Sequence, residues 1–305
     1  MSAPLKLGTR GSALALAQAR PVAEKLGAEL VVIEAQGSAG VFATALRSAL
    51  RSGDVDVVVH SYKNLPLAPV DGLVIAAVPK RGDARDALCA VDGLTLDTLP
   101  PGARVGTGSR RRRAQLLSRR PDLDVVEIHG EIDTRLERVD GAPDSSTGLD
   151  AVVLAAAALD RLDRLDAVAE FLGIDGWPTG PAQGALAIEV RVGGLDELDQ
   201  RKVAKLDHRP TRLAVEAERA ILTRLEGVCA APIGAHALLD DGLLFLSARV
   251  YALDGSTQLT GAHALYPEDS LHPADDLAER VAAELLAAGA ADLVPWAGSR
   301  QAGGS

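Results

Sequence analysis

Short apolar runs alternate with longer amphipathic stretches through the first two-thirds of the chain. Leu5–Gly8 and Leu30–Glu34 read as brief buried strands, and the segment between them as a helix with Ser12 as its N-cap. Pro21 is expected to bend or break that helix, because proline removes a backbone donor. Val41–Arg51 reads as a second helix, and Val55–His60 and Leu73–Val78 as further strands. This order predicts a mostly parallel sheet covered by helices on both faces. The pattern then restarts. Arg104–Gly106, Val125–Ile128 and Asp150–Leu154 read as strands, with helices over Arg110–Ser118, Ile132–Val139 and an Ala-rich run through Asp160. Gly184–Arg191 is one more apolar strand.

Breaks near Arg81-Gly82-Asp83 and Trp177–Pro181 mark expected crossings between two α/β lobes, and a double crossover of that kind makes a cleft suited to a ligand. The last hundred or so residues change character. A strong helix over Arg212–Leu225 precedes two strand patterns, Leu243–Ala252 and Thr257–Leu265, which flank the hairpin signal Asp254-Gly255. A final helix is predicted over Ala274–Ala288, with a frayed end after Ala297. The expected division is residues 1–82 with 183–206 as one lobe, 83–182 as the second, and 207–305 as a small α+β domain.

Composition sharpens this picture. The 305 residues carry a formal charge of −10, which argues against a surface that binds nucleic acid or anionic membrane. Only six of the 32 basic residues are lysine, so the positive charge is mostly guanidinium, the group best shaped to bind carboxylates in pairs. No apolar run approaches the ~20 residues of a membrane span; the longest is Ala151–Leu159. The N-terminal apolar stretch is too short for a signal peptide, so a cytoplasmic location is expected. Two cysteines cannot make a disulfide framework or a zinc site, and the six histidines show no metal-ligand spacing.

Three segments carry candidate chemistry. Thr107-Gly108-Ser109 followed by Arg110–Arg113 sets hydroxyls and guanidinium groups at a strand-to-helix turn, where free N–H groups favour an anion; a solvated basic helix start is the competing reading. His60-Ser61-Tyr62-Lys63-Asn64 closes a buried strand and could equally be a plain polar loop. Cys229 lies in a Gly- and Pro-bounded loop, either buried and inert or reachable, while Cys89 reads as core.

Taken in order, Gly8-Thr9-Arg10-Gly11-Ser12, Val59-His60-Ser61-Tyr62-Lys63, Val105-Gly106-Thr107 with Arg111-Arg112, Asp133-Thr134-Arg135-Leu136, Gln183-Gly184-Ala185 and Glu218-Arg219 leading to Cys229-Ala230-Ala231-Pro232-Ile233-Gly234 resemble the hydroxymethylbilane synthases, or porphobilinogen deaminases. The resemblance spans nearly the whole chain. It implies an α/β fold of two periplasmic-binding-protein-like lobes with mixed sheets joined by a double crossover, plus a small α+β C-terminal domain. It also implies a transferase that deaminates four porphobilinogen molecules and joins them head to tail, on a dipyrromethane held by a thioether to Cys229. By motif position, Arg10, Arg111, Arg112, Arg135 and Arg161 would bind carboxylates of cofactor and substrate. Ser12, Ser61, Lys63, Thr107 and Ser109 would support them, with Phe42 near the pyrrole rings. Asn64 occupies the catalytic position next to Lys63. The implied state is a cytoplasmic monomer with porphobilinogen as its partner and no nucleic acid or membrane.

The chain departs from the family pattern at several of these positions. Asn64 stands where the family has an aspartate that stabilises the cation formed as ammonia leaves. An amide can accept a hydrogen bond but supplies no negative charge. His129-Gly130-Glu131 replaces Arg-Gly-Asn, Gly108 replaces a common serine, and the loop at 35–40 is short. Pro178-Thr179-Gly180-Pro181 also differs from the usual pattern. Three readings stand open at this level: a working synthase, a catalytically impaired paralogue that binds a polypyrrole or other polycarboxylate, and a plain two-lobed anion-binding protein.

Overall fold

The computed structural model of the chain describes residues 4–34, 39–139, 148–225 and 231–293, with backbone alone at 39 and 40. Cys229, most of the short loop at 35–40 and the end after Ala297 lie outside the described residues. In chain order the elements begin with β1 (Lys6–Thr9), α1 (Ala13–Leu26), β2 (Glu29–Val32), α2 (Ala39–Ser52), β3 (Val57–Ser61) and β4 (Leu73–Ala77). There follow β5 (Asp86–Ala90), β6 (Arg104–Gly106), α3 (Arg110–Arg119), β7 (Asp124–Val126), α4 (Ile132–Leu136), β8 (Ala151–Ala155), α5 (Ala156–Arg161) and β9 (Glu170–Leu172). The chain continues with β10 (Leu186–Arg191), α6 (Glu197–Ala204), α7 (Arg209–Leu225), β11 (Ile233–Asp240), β12 (Leu243–Tyr251), β13 (Gln258–Leu265) and α8 (Pro273–Ala287).

These elements form two compact units. The first holds residues up to Ala84, Asp160–Leu162 and Ala182–Arg212; the second holds the remainder. The first unit is built on a sheet of order β2-β1-β3-β10-β4. β1 pairs in parallel with β2 and β3, whereas β10 is antiparallel to both its neighbours. The mostly parallel sheet expected from the alternating pattern is therefore mixed, because a late strand inserts between β3 and β4. Along β3 the faces alternate: Val57 and Val59 join one core with Leu7 and Ile188, and Val58 joins another with Leu46 and Leu50. Burial on both faces explains the near-continuous apolar strands.

α1 starts as its sequence dictates, with the Ser12 hydroxyl accepting the Ala15 N–H, and ends at Gly27 in the left-handed conformation. Pro21 does not break it. The ring lies on the exposed face, and burial of Val22, Ala23 and Leu26 on the other side offsets the missing hydrogen bond.

The second unit repeats the plan with order β7-β6-β8-β5-β9, where β5 is the antiparallel insertion. Its three-stranded antiparallel sheet β11-β12-β13 buries one face against α7 and α8 through Leu244, Leu246, Val250, Ile221, Leu277 and Val281. The turn at Asp254-Gly255 forms as predicted, and Gly255 is obligatory there. It has φ +74°, and a Cβ would lie 2.6 Å from the Ala114 carbonyl oxygen of α3.

Candidate functional site

In the first unit β1, β2 and β3 run parallel, so the residues after each strand gather at one edge, the usual ligand-binding edge of such sheets. Arg10 and Ser12 follow β1, Glu34 follows β2, and Lys63 and Asn64 follow β3. The Arg10 guanidinium carbon lies 3.9 Å from the centre of the Phe42 ring. Its Nε is buried with no hydrogen-bond partner among the described residues. Together with Ser12, Val32 and Glu34 this pair lines a hollow of about 580 Å³.

Ser61 Oγ accepts a hydrogen bond from Gln18 Nε2 at 3.3 Å. Lys63 Nζ donates to Gln183 Oε1 at 3.1 Å, and Arg161 Nη2 donates to the Gly184 carbonyl at 2.7 Å. Two residues distant in sequence are thereby brought onto one dipeptide. Arg81 Nε fixes the same segment through the Gln183 carbonyl at 2.7 Å. Asn64 is exposed on the turn beside Lys63. One residue before Ser61, His60 points into the core, where its Nε2 lies 2.9 Å from Glu189, itself bonded by Arg47 at 2.9 Å. Burial alone would raise the Glu189 carboxyl, but the bonds from His60 and Arg47 hold it below its ordinary value. This cluster ties α2, β3 and β10 together beneath the edge.

In the second unit β6, β7 and β8 also run parallel and collect their following residues at one edge. Ser109 caps α3, its hydroxyl accepting from the Arg112 N–H at 3.4 Å, while its own N–H donates to Thr107 Oγ1 at 3.2 Å. Gly108 lets this turn approach β7's continuation: a Cβ there would stand 2.6 Å from the Ile128 carbonyl oxygen. A serine would need that backbone to move. Arg135 Nε donates to the Gly130 carbonyl at 2.8 Å. Burial, and then the nearby Arg112 charge, lower its guanidinium pKa, with Glu131 opposing. His129 and Glu127 make an exposed pair at 3.2 Å.

Arg111 and Arg112 are not a solvated basic fringe. Both are buried and share Asp86, which is fully buried at the start of β5. Arg112 binds Asp86 Oδ1 through Nη2 at 2.6 Å and Nε at 3.0 Å, and donates from Nη1 to the Val153 carbonyl at 2.9 Å. Arg111 Nη1 donates to Asp86 Oδ2 at 2.8 Å, Gln115 Oε1 at 2.6 Å and the Pro178 carbonyl at 3.2 Å. Trp177 Nε1 adds a further donor to Asp86 at 2.8 Å. Gln115 Nε2 in turn donates to the Pro178 carbonyl at 2.8 Å and to Tyr251 Oη at 3.1 Å. Burial would raise the Asp86 carboxyl, but the two guanidinium groups hold it well below the carboxylate range.

Asp86, Gln115, Trp177 and Tyr251 escape a reading of the sequence. Asp86 lies 25, 26 and 91 positions from its side-chain partners, so no local pattern announces it. Cys89 is buried as expected, and burial pushes its thiol up to about 12. Among the described residues no group of side chains could hold a metal ion, and no helix is long and apolar enough to cross a membrane.

Comparison with known proteins bears on this arrangement. Residues 5–198 match the family model described as "Porphobilinogen deaminase, dipyromethane cofactor binding domain", and residues 212–287 match "Porphobilinogen deaminase, C-terminal domain". The chain is 53% identical over 322 residues to the porphobilinogen deaminase of Leifsonia xyli, covering 97% of this chain and 96% of that one. It is 45% identical over 313 residues to that of Thermobifida fusca, covering 95% and 96%. Among solved structures, a TRAP periplasmic solute binding protein from Desulfovibrio salexigens aligns with a TM-score of 0.40 at 11% identity, covering 68% of this chain and 73% of that one. A putative methionine-binding lipoprotein from Bacillus subtilis aligns at 0.39 and 15%, covering 67% and 89%.

Proposed function

The chain belongs to the porphobilinogen deaminase family, a transferase family built around a dipyrromethane cofactor, and on that footing we propose how its own residues serve the reaction. Porphobilinogen is the substrate. In this reading the cofactor is held by a thioether to Cys229, and the arginines at the two strand-end edges bind the acetate and propionate groups of cofactor and growing chain. The observation that carries it is the state of Arg10, Arg135 and Arg161. Among the described residues none of the three is hydrogen-bonded to a carboxylate, although each is partly or largely buried. Guanidinium groups taken from water and left without an anion call for one from a ligand. The donor set fits a polycarboxylate.

When bound, the dipyrromethane supplies the pyrrole carbon to which incoming units are joined. Arg10, fixed against Phe42, would bind a carboxylate at the buried Nε side, with Ser12 supporting it. Lys63, oriented by Gln183, and Arg161, oriented by Gly184, would hold acidic side chains of the substrate. Ser61, Thr107 and Ser109 would supply hydroxyls, and Arg111, Arg112 and Arg135 further guanidinium donors. Asn64 would accept a pyrrole N–H through Oδ1 without contributing charge, which limits the stabilisation of positive charge as ammonia departs. Cys89 is a poor competitor for the anchor, since a buried thiol with so high a pKa forms little thiolate. The net charge of −10 supports the absence of nucleic-acid and anionic-membrane partners, and the working state in this reading is a cytoplasmic monomer.

Near-full-length identity to enzymes of one name favours the working synthase over the impaired paralogue and the plain anion-binding protein. The test is porphobilinogen consumption by the purified chain, with the product oxidised and read by absorbance. A uroporphyrin-type spectrum is expected. Its absence from a chain carrying the covalent cofactor would return the paralogue reading.

A further inference from the structure

The arrangement around Asp86 distinguishes two neighbouring arginines that the sequence makes look equivalent. Arg112 engages Nε, Nη1 and Nη2 with Asp86 and Val153. Arg111 engages Nη1 alone, shared among Asp86, Gln115 and Pro178, and its Nε and Nη2 make no hydrogen bond among the described residues. Its side chain keeps 8% of its surface exposed. A guanidinium pinned along one edge presents the other as a planar fork of fixed direction, the geometry that binds a carboxylate through two parallel bonds. The carboxylate it touches is shared with Arg112, so one negative charge faces two guanidinium groups.

Gln115 completes the grip, and its amide orientation is fixed from both ends. Oε1 faces the Arg111 donor, and Nε2 faces two acceptors, the Pro178 carbonyl and Tyr251 Oη. A neutral acceptor holds Arg111 without cancelling its charge; a carboxylate in the same place would hold it and cancel it. Resting on the reading of this edge as a polycarboxylate site, we propose that Asp86 and Gln115 are positioning residues that clamp Arg111 by its Nη1 edge. They leave its Nε–Nη2 edge as a charged fork for a ligand carboxylate, and the neutrality of Gln115 is part of the design.

The test compares Gln115→Glu with Gln115→Met in the full chain. Both lose the Nε2 donors, and only the first adds negative charge beside Arg111. The probe is tricarballylate, a small tricarboxylate, whose stabilisation of the chain is followed by thermal melting; covalent adduct occupancy is followed by intact mass. Gln115→Glu is expected to bind the probe about tenfold more weakly than Gln115→Met, and to show a lower adduct fraction. Equal losses in the two variants, or no loss in either, overturn the proposal. Where Gln115→Glu does not fold, Arg111→Lys takes its place. It keeps the charge and removes the fork, and it too should weaken the probe about tenfold, with wild-type binding overturning the proposal. Absence of the adduct from the wild-type chain, with the charge-dependent difference between the two variants still present, would sink the cofactor assignment and leave the clamp on Arg111 standing.

Discussion

The two strand-end edges use arginine in opposite ways. In the first unit Arg10 and Arg161 meet a ring and a carbonyl, with no carboxylate bonded to either among the described residues. In the second, Arg135 likewise meets a carbonyl, but the adjacent pair Arg111 and Arg112 closes on a buried aspartate that also takes a tryptophan N–H. Charge of the first kind adds little to the fold and is available to a ligand. In the second kind Arg112 is bound into the core with Asp86 and Arg111 is held there by its Nη1 edge, so removing one partner leaves the others exposed to the full cost of burial. Residues with the same chemistry and the same motif-level signature should therefore respond differently to mutation.

The largest effect is expected at Asp86. Asp86→Ala strands two buried guanidinium groups and should lower the unfolding free energy by about 3–5 kcal/mol, measured by denaturant titration. A change within about 1 kcal/mol of wild type would erase the contrast between the edges. The same carboxyl gives a pH dependence of definite sign. Its folded pKa is depressed, so its contribution is complete above the unfolded value of about 3.9 and is lost as pH falls below it. Asp86→Asn should flatten that acid limb. Next comes Asn64→Asp, which restores a negative charge beside Lys63 and should raise kcat by about 10²-fold without altering the melting temperature. An unchanged or reduced kcat would mean that Asn64 is not limiting. Arg10→Leu follows, with KM for porphobilinogen rising about tenfold while stability holds, since the side chain has no carboxylate to abandon. A marked loss of stability instead would make Arg10 structural. The smallest change is expected from Trp177→Phe, which removes one donor to Asp86 and should cost about 1 kcal/mol in unfolding with KM unchanged.

What the sequence displays follows the same division. Local signals are legible: the Ser12 cap, the helix start after Ser109, the Asp254-Gly255 turn, and the restart of the βα pattern all appear where their residues place them. The motif residues Lys63, Gln183 and Arg161 are visible singly, but their meeting on one segment is not. The places of β10 and β5 within their sheets are hidden because strand order is decided by pairing between distant segments, not by periodicity within one. β5 itself is not among the strands read from the sequence: it begins with an acidic residue whose two arginine partners and tryptophan lie far along the chain. Pro21 misleads for the converse reason: tertiary burial on the opposite helix face outweighs a local breaking signal.

Intact mass spectrometry of the purified full chain, followed by peptide mapping, bears most directly on the assignment. One covalent dipyrromethane is predicted on Cys229 and none on Cys229→Ser. A chain purified without the adduct, or with it on Cys89, would contradict the cofactor-bearing enzyme described above.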